Sequence, residues 1–153
     1  MKLGPTCILL STLSLLASTC HANDERIASP QAGTRTYAQN YKDMVLAECI
    51  ATAYRDDQTV ALDVGSSASA LQDWTHYDWE KNPNDRVRAL VDTFLARDYF
   101  NPLVESEIKG VRFDFLKCLD LYHSKDLDAL VKRVVINPTR TYRQDHPLPK
   151  TSR

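Results

Sequence analysis

NPNDRVRALVDTFL, residues 82–95, is the stretch whose reading decides the fold. Asn82 is a helix-capping residue type, and Pro83 suits the first helical position, where its missing N–H leaves no bond unmade. Val87, Leu90, Val91, Phe94 and Leu95 then recur at the spacing that lines one face of a helix. Arg88 and Asp92 stand four apart, where they are expected to pair on the wet side.

The same periodicity extends to both sides. Prolines at 5, 30, 83, 102, 138, 147 and 149 leave residues 31–82 and 103–137 free of the strongest helix breaker. Past residue 22 the glycines are Gly33, Gly65 and Gly110, too few for the tight turns of a sandwich or barrel. Over residues 37–55, Tyr41, Val45 and Cys49 form an i, i+4 row that Met44, Leu46, Ala47 and Ile50 widen, as in a central helix. Residues 57–74 carry Val60, Val64, Ala68 and Leu71 on one stripe. Ala61, Gly65 and Ser69 make a second row of small residues, where a neighbouring backbone could come close or Gly65 could bend the helix.

C-terminal to the opening stretch, Asn101 and Pro102 announce a short helical turn through Glu107, which Gly110 ends. Val111, Phe115, Cys118, Leu119 and Tyr122 make another helical stripe, although Val111, Phe113 and Phe115 also alternate as a short strand would; length favours the helix. Ser124 caps a last helix whose Leu127, Leu130, Val131 and Val134 face inward. The expected architecture is all-α, a single compact domain of about five to six helices over residues 37–135. A flexible segment is expected over 23–36 and a loose, proline-bearing tail over 136–153.

Residues 1–22 read as an address. Lys2 is positive, residues 7–17 are apolar, and Cys20-His21-Ala22 ends in a small residue of the kind signal peptidase prefers. The apolar run is about half of the roughly 20 residues needed to cross a bilayer, so the reading is a cleaved signal peptide and no stable membrane insertion. Lipidation at Cys20 is the alternative, opposed by Thr19, which is bulkier than the residue usually found there.

Composition narrows the function. Of 153 residues, 43% are hydrophobic and 25% charged, with 19 Lys+Arg against 20 Asp+Glu. A formal charge of −1 gives no basic field for a nucleic acid, and the apolar fraction is enough to offset the ordering entropy of a folded core. Once the signal segment leaves, Cys49 and Cys118 are the two remaining cysteines, in an exported and oxidising setting, and one intrachain disulfide is expected. It would close a loop of 69 residues and stabilise the fold by roughly 4 kcal/mol in the chain-entropy account.

Catalytic patterns are missing. Three scattered glycines cannot cradle a phosphate, and no GxSxG, HExxH or CxxC occurs. His76, His123 and His146 are isolated, and a Cys118–His123 dyad would need a reduced thiol. No enzyme, cofactor or metal is expected. Two segments carry the aromatic and charged side chains that dominate binding interfaces: WTHYDWEKNPND, residues 74–85, and RDYFNPLVESEIK, residues 97–109.

Three runs, YAQNYKDMVLAECIATAYRDD (37–57), SSASALQDWTHYDWEK (66–81) and RDYFNPLVESEIKGVRFDFLKCLDLYHSKDLD (97–128), together resemble the type VI secretion amidase immunity proteins. The likeness is to the immunity partner of the fourth amidase effector family and covers about residues 37–134. It implies a periplasmic, all-α, dimeric, disulfide-bonded protein that protects the producing bacterium from amidases injected by its siblings. The effector implied is a papain-like Cys/His endopeptidase that cuts peptidoglycan stems, blocked when a loop of one immunity subunit enters its cleft and a helix of the second subunit supports that loop. On this sequence the expected contacts are Asp98, Tyr99, Asn101, Glu105 and Glu107, with Tyr77, Trp79, Glu80 and Asp85 as the alternative set. Ala61, Gly65 and Ser69 are the expected dimer packing row, giving a heterotetramer with two effectors. The rival readings are a small secreted helical ligand-binding protein and a periplasmic enzyme using His123 or His76.

Overall fold

The structure, a computed structural model, describes residues 30–147. The expected signal peptide and the lipidation alternative at Cys20 lie outside them. Among the described residues there are seven α-helices and two 3-10 turns, with no strand beyond isolated bridges. The helices are α1 Tyr37–Ala53, α2 Gln58–Gln72, α3 Pro83–Leu95, α4 Pro102–Glu107, α5 Asp114–Tyr122, α6 Lys125–Val134 and α7 Tyr142–Asp145. The all-α reading holds.

Helix α1 is the hub. Tyr37, Tyr41, Met44, Val45, Ala47 and Cys49 are all buried on it, because α2, α3, α5 and α6 pack around it on several sides. Val87, Val91 and Phe94 of α3, Cys118 and Leu121 of α5, and Leu127, Leu130, Val131 and Val134 of α6 complete the core. The periodicity of residues 82–95 and of α6 therefore faced the interior as read. Phe94, Leu121 and Leu127 are among the largest fully buried side chains, and burying each contributes about 2–3 kcal/mol.

Helix starts follow local chemistry. Thr36 accepts from the Gln39 N–H at 3.2 Å while the Gln39 side chain accepts from the Thr36 N–H at 2.9 Å, a reciprocal capping box. Asp57 caps α2 through Thr59 and Val60, and Ser124 caps α6 by accepting from the Leu127 N–H at 3.0 Å. Asn82 departs from expectation: it makes no side-chain cap, and instead turns the chain at φ 49°, in the left-handed region that asparagine tolerates better than most residues. Arg88 lies nearest Asp85, at 3.8 Å, the weak exposed pair that replaces the expected one with Asp92.

The disulfide is present, with Cys49 and Cys118 fully buried and joined, Cα–Cα 5.7 Å, so that α1 is crosslinked to α5. Helix α2 runs unbroken through Gly65, and among the described residues nothing lies within 4 Å of a Cβ built there.

Residues 136–147, expected to be loose, are tied down. The Ile136 N–H donates to His76 O at 2.8 Å, Tyr37 and Ala38 donate to Arg140 O and Pro138 O at 2.8 and 3.0 Å, and the Tyr37 hydroxyl donates to Asp145 Oδ2 at 2.7 Å. Arg140 also pairs with Asp145. Residues 30–36 are likewise drawn in, since buried Asn40 donates from Nδ2 to both Ala32 O and Trp74 O at 2.8 Å.

Candidate binding surface

Between the end of α3 and the start of α5 the chain leaves the bundle for residues 96–113, with α4 inside that excursion. Asn101 opens α4 by accepting from the Leu103 and Val104 N–H groups at 3.0 and 3.4 Å, and Pro102 takes the first position. Gly110, at φ 75°, turns the chain back where a side chain would be strained. Phe113 then enters α5 at φ 55°, an unusual conformation for a bulky residue.

The expected contacts on this segment divide by how their polar atoms are used. Asp98 and Glu107 are exposed, with no hydrogen-bond partner among the described residues. Tyr99 is half-buried and donates to Asp120 Oδ2, Asn101 is spent on the α4 cap, and Glu105 accepts from the Gly110 N–H at 3.1 Å. The latter three shape the segment from within and present less to a partner.

Sequence reasoning missed the apolar part of this surface. Phe100, Leu103 and Ile108 are 71%, 79% and 63% exposed, and Phe115 and Leu116 at the start of α5 join them. Tyr99, Phe100, Asn101, Phe113 and Leu116 line a shallow cleft of about 350 Å³. Phe100 and Leu116 share this cleft, and Leu103, Ile108 and Phe115 are exposed on the same stretch of chain; large apolar side chains left exposed in such number mark a site of association. The signal lies in the apolar residues of 99–116, and Phe115, expected on the inward stripe, is 49% exposed. The inward position is taken instead by Asp114 and Lys117, both buried.

The alternative set is less accessible. Tyr77 is 5% exposed, its ring edge-on to Tyr41 at 5.6 Å and tilted against Trp79 at 4.7 Å, so it belongs to the core and not to a contact surface. Burial raises the Tyr77 hydroxyl above the ordinary tyrosine pKa. Trp79, Glu80 and Asp85 are exposed. The α2 row has its own exposed neighbour in Leu62, and Ala61 and Gly65 are half-buried while Ser69 is exposed.

The histidines stand apart from the cysteines' chemistry. Cys118 is oxidised, which removes the nucleophile from a Cys118–His123 dyad. His76 and His146 line an open cleft of about 450 Å³ with Tyr37, Asp73, Tyr142 and Asp145. Asp145 is already engaged there by Arg140 and Tyr37, which hold its carboxyl below the usual carboxylate range, while burial and that hydrogen bond push Tyr37 up to about 12. Among the described residues no group of three or more His, Cys, Asp or Glu side chains is placed to hold a metal, and no helix is long and apolar enough to cross a membrane.

These features define a small, all-helical, disulfide-crosslinked domain with a projecting apolar and acidic segment. The chain belongs to the Tai4 family, type VI secretion system amidase immunity proteins, whose profile matches residues 39–131. It is similar to a solved structure described as "New Type VI-secreted toxins and self-resistance proteins in Serratia marcescens", with 30% identity over 80% of this chain and 95% of that one and a TM-score of 0.68. It also shares its fold with a chain from the Tae4/Tai4 effector–immunity system of Salmonella typhimurium, at 22% identity, TM-score 0.59, covering 69% of this chain and 96% of that one. No curated protein matches it.

Proposed function

We propose that this protein is exported to the periplasm by a cleaved signal peptide and there binds a Tae4-class peptidoglycan amidase delivered by sibling cells, covering its active-site cleft. Membership of the immunity family over residues 39–131 is the observation that carries the reading. Inhibition is by occlusion: a papain-like cleft is closed to a peptidoglycan stem once a rigid segment fills it. Residues 96–113 suit that task, because Phe100, Leu103 and Ile108 offer apolar area to desolvate while Asp98 and Glu107 offer carboxylates to donors lining a cysteine-amidase cleft. The protein acts as a homodimer, with Ala61, Gly65 and Ser69 of α2 as packing residues, and the complex is a heterotetramer with two effectors. It uses no cofactor and performs no catalysis.

The test is a titration of the mature protein into the amidase, with peptidoglycan cleavage and binding heat followed together. Stoichiometric loss of cleavage is expected. Full cleavage at saturating protein, with the amidase made by the same bacterium, would overturn the reading.

A further inference from the structure

Lys117 is a buried cation that the binding surface does not display. Its side chain is 5% exposed, and its Nζ donates to Asp114 Oδ1 at 3.0 Å and to Leu95 O at 3.2 Å. Leu95 ends α3 and is the last helical residue before the projecting segment; Asp114 begins α5 and is the first after it. One ammonium group thus holds both stems. The other oxygen of Asp114 faces Arg112 Nε at 3.2 Å, on the returning stem, and Tyr99, on the leading stem, donates to Asp120, also on α5. Every one of these ties has an end on α5, and α5 is itself crosslinked to α1 through Cys118, the residue next to Lys117.

A buried charge pair is a poor way to stabilise a core, since desolvating both ions costs about as much as their attraction returns. Apolar side chains at 114 and 117 would hold α5 against α1 and α3 as well. What they would not do is fix the separation of the stems by directional bonds. Preorganisation of that kind strengthens binding by removing the ordering cost otherwise met when a segment docks.

Resting on the occlusion reading above, we infer that Lys117, through its paired bonds to Asp114 and Leu95 O, is a positioning residue that holds residues 96–113 in their binding-competent shape without touching the effector. The fold does not depend on it; affinity does.

Lys117→Met alone leaves Asp114 buried with only an exposed arginine as partner and lowers stability for that reason. The decisive variant is therefore Asp114→Asn with Lys117→Met, which removes both charges at similar volume. Full-length mature protein is compared by melting, by amide hydrogen exchange and by binding to the amidase. The double variant is expected to melt within a few degrees of wild type. Amides of residues 97–112 should exchange roughly tenfold faster or more while those of α1 and α6 do not change, and affinity should fall roughly tenfold, mainly through faster dissociation. Wild-type exchange and wild-type affinity in a folded double variant would overturn the inference. So would a double variant that fails to fold, because Lys117 would then be a core residue. If wild type itself does not bind the amidase, the functional reading falls first, and it does so independently of the exchange result.

Discussion

Glu107 and Tyr37 show how differently two polar side chains serve this molecule. Glu107 is exposed at the end of α4, makes no internal bond among the described residues and supports no neighbour. Reversing it with Glu107→Arg should weaken effector binding roughly tenfold by setting a cation against donors, with helicity and melting temperature unchanged. Calorimetry and circular dichroism read the two effects separately, and unaltered affinity would shift the site towards Trp79, Glu80 and Asp85. Tyr37 is internal instead. The residue is 3% exposed and its hydroxyl reaches Asp145, so Tyr37→Phe should cost about 1–2 kcal/mol of stability in a denaturant titration and leave binding intact.

Among the elements, the disulfide and the C-terminal strap give the largest expected effects. Cys49→Ala with Cys118→Ala should cost about 4 kcal/mol, lowering the melting temperature on the order of 10–20 °C. Thiol titration of the folded wild type should find no reactive cysteine. Deleting residues 136–153 should also destabilise, because Tyr37 and Ala38 lose their backbone acceptors and His76 O loses its donor.

Legibility divides at this scale too. Helices α3 and α6 were readable because an apolar stripe, a proline at the first turn of one and a capping serine before the other agree. The short α4 was readable from Asn101-Pro102. The start of α5 misled, since a buried Asp114–Lys117 pair spaced i, i+3 looks in sequence like a solvated face and pushes Phe115 and Leu116 outward. The strap was invisible for another reason. Its bonds join Tyr37 to Asp145, 108 residues apart, and no local pattern encodes that.

Across the whole molecule, pH sets limits that follow from the cited shifts. Asp145, Asp128 and Asp78 are held below the ordinary carboxylate pKa by hydrogen bonds from Arg140 and Tyr37, from Lys42, and from Lys81. A carboxylate with a depressed folded-state pKa contributes stability above its unfolded value, and that contribution disappears as pH falls through the folded value. Melting temperature should therefore decline below about pH 4, and Asp145→Asn should shallow that decline. At the other end Tyr37 is raised to about 12, so its contribution is complete below the unfolded tyrosine pKa near 10 and is lost as pH climbs through 12. A plateau between these limits is the expected profile.

The whole-molecule claim is that a stapled helical bundle presents residues 96–113 as a rigid plug for an amidase. The most direct measurement is the titration of mature protein into the Tae4-class amidase of the same bacterium, with cleavage of peptidoglycan recorded at each addition. The account predicts that cleavage falls linearly to zero at one immunity subunit per effector. Cleavage that persists at several-fold excess would contradict it.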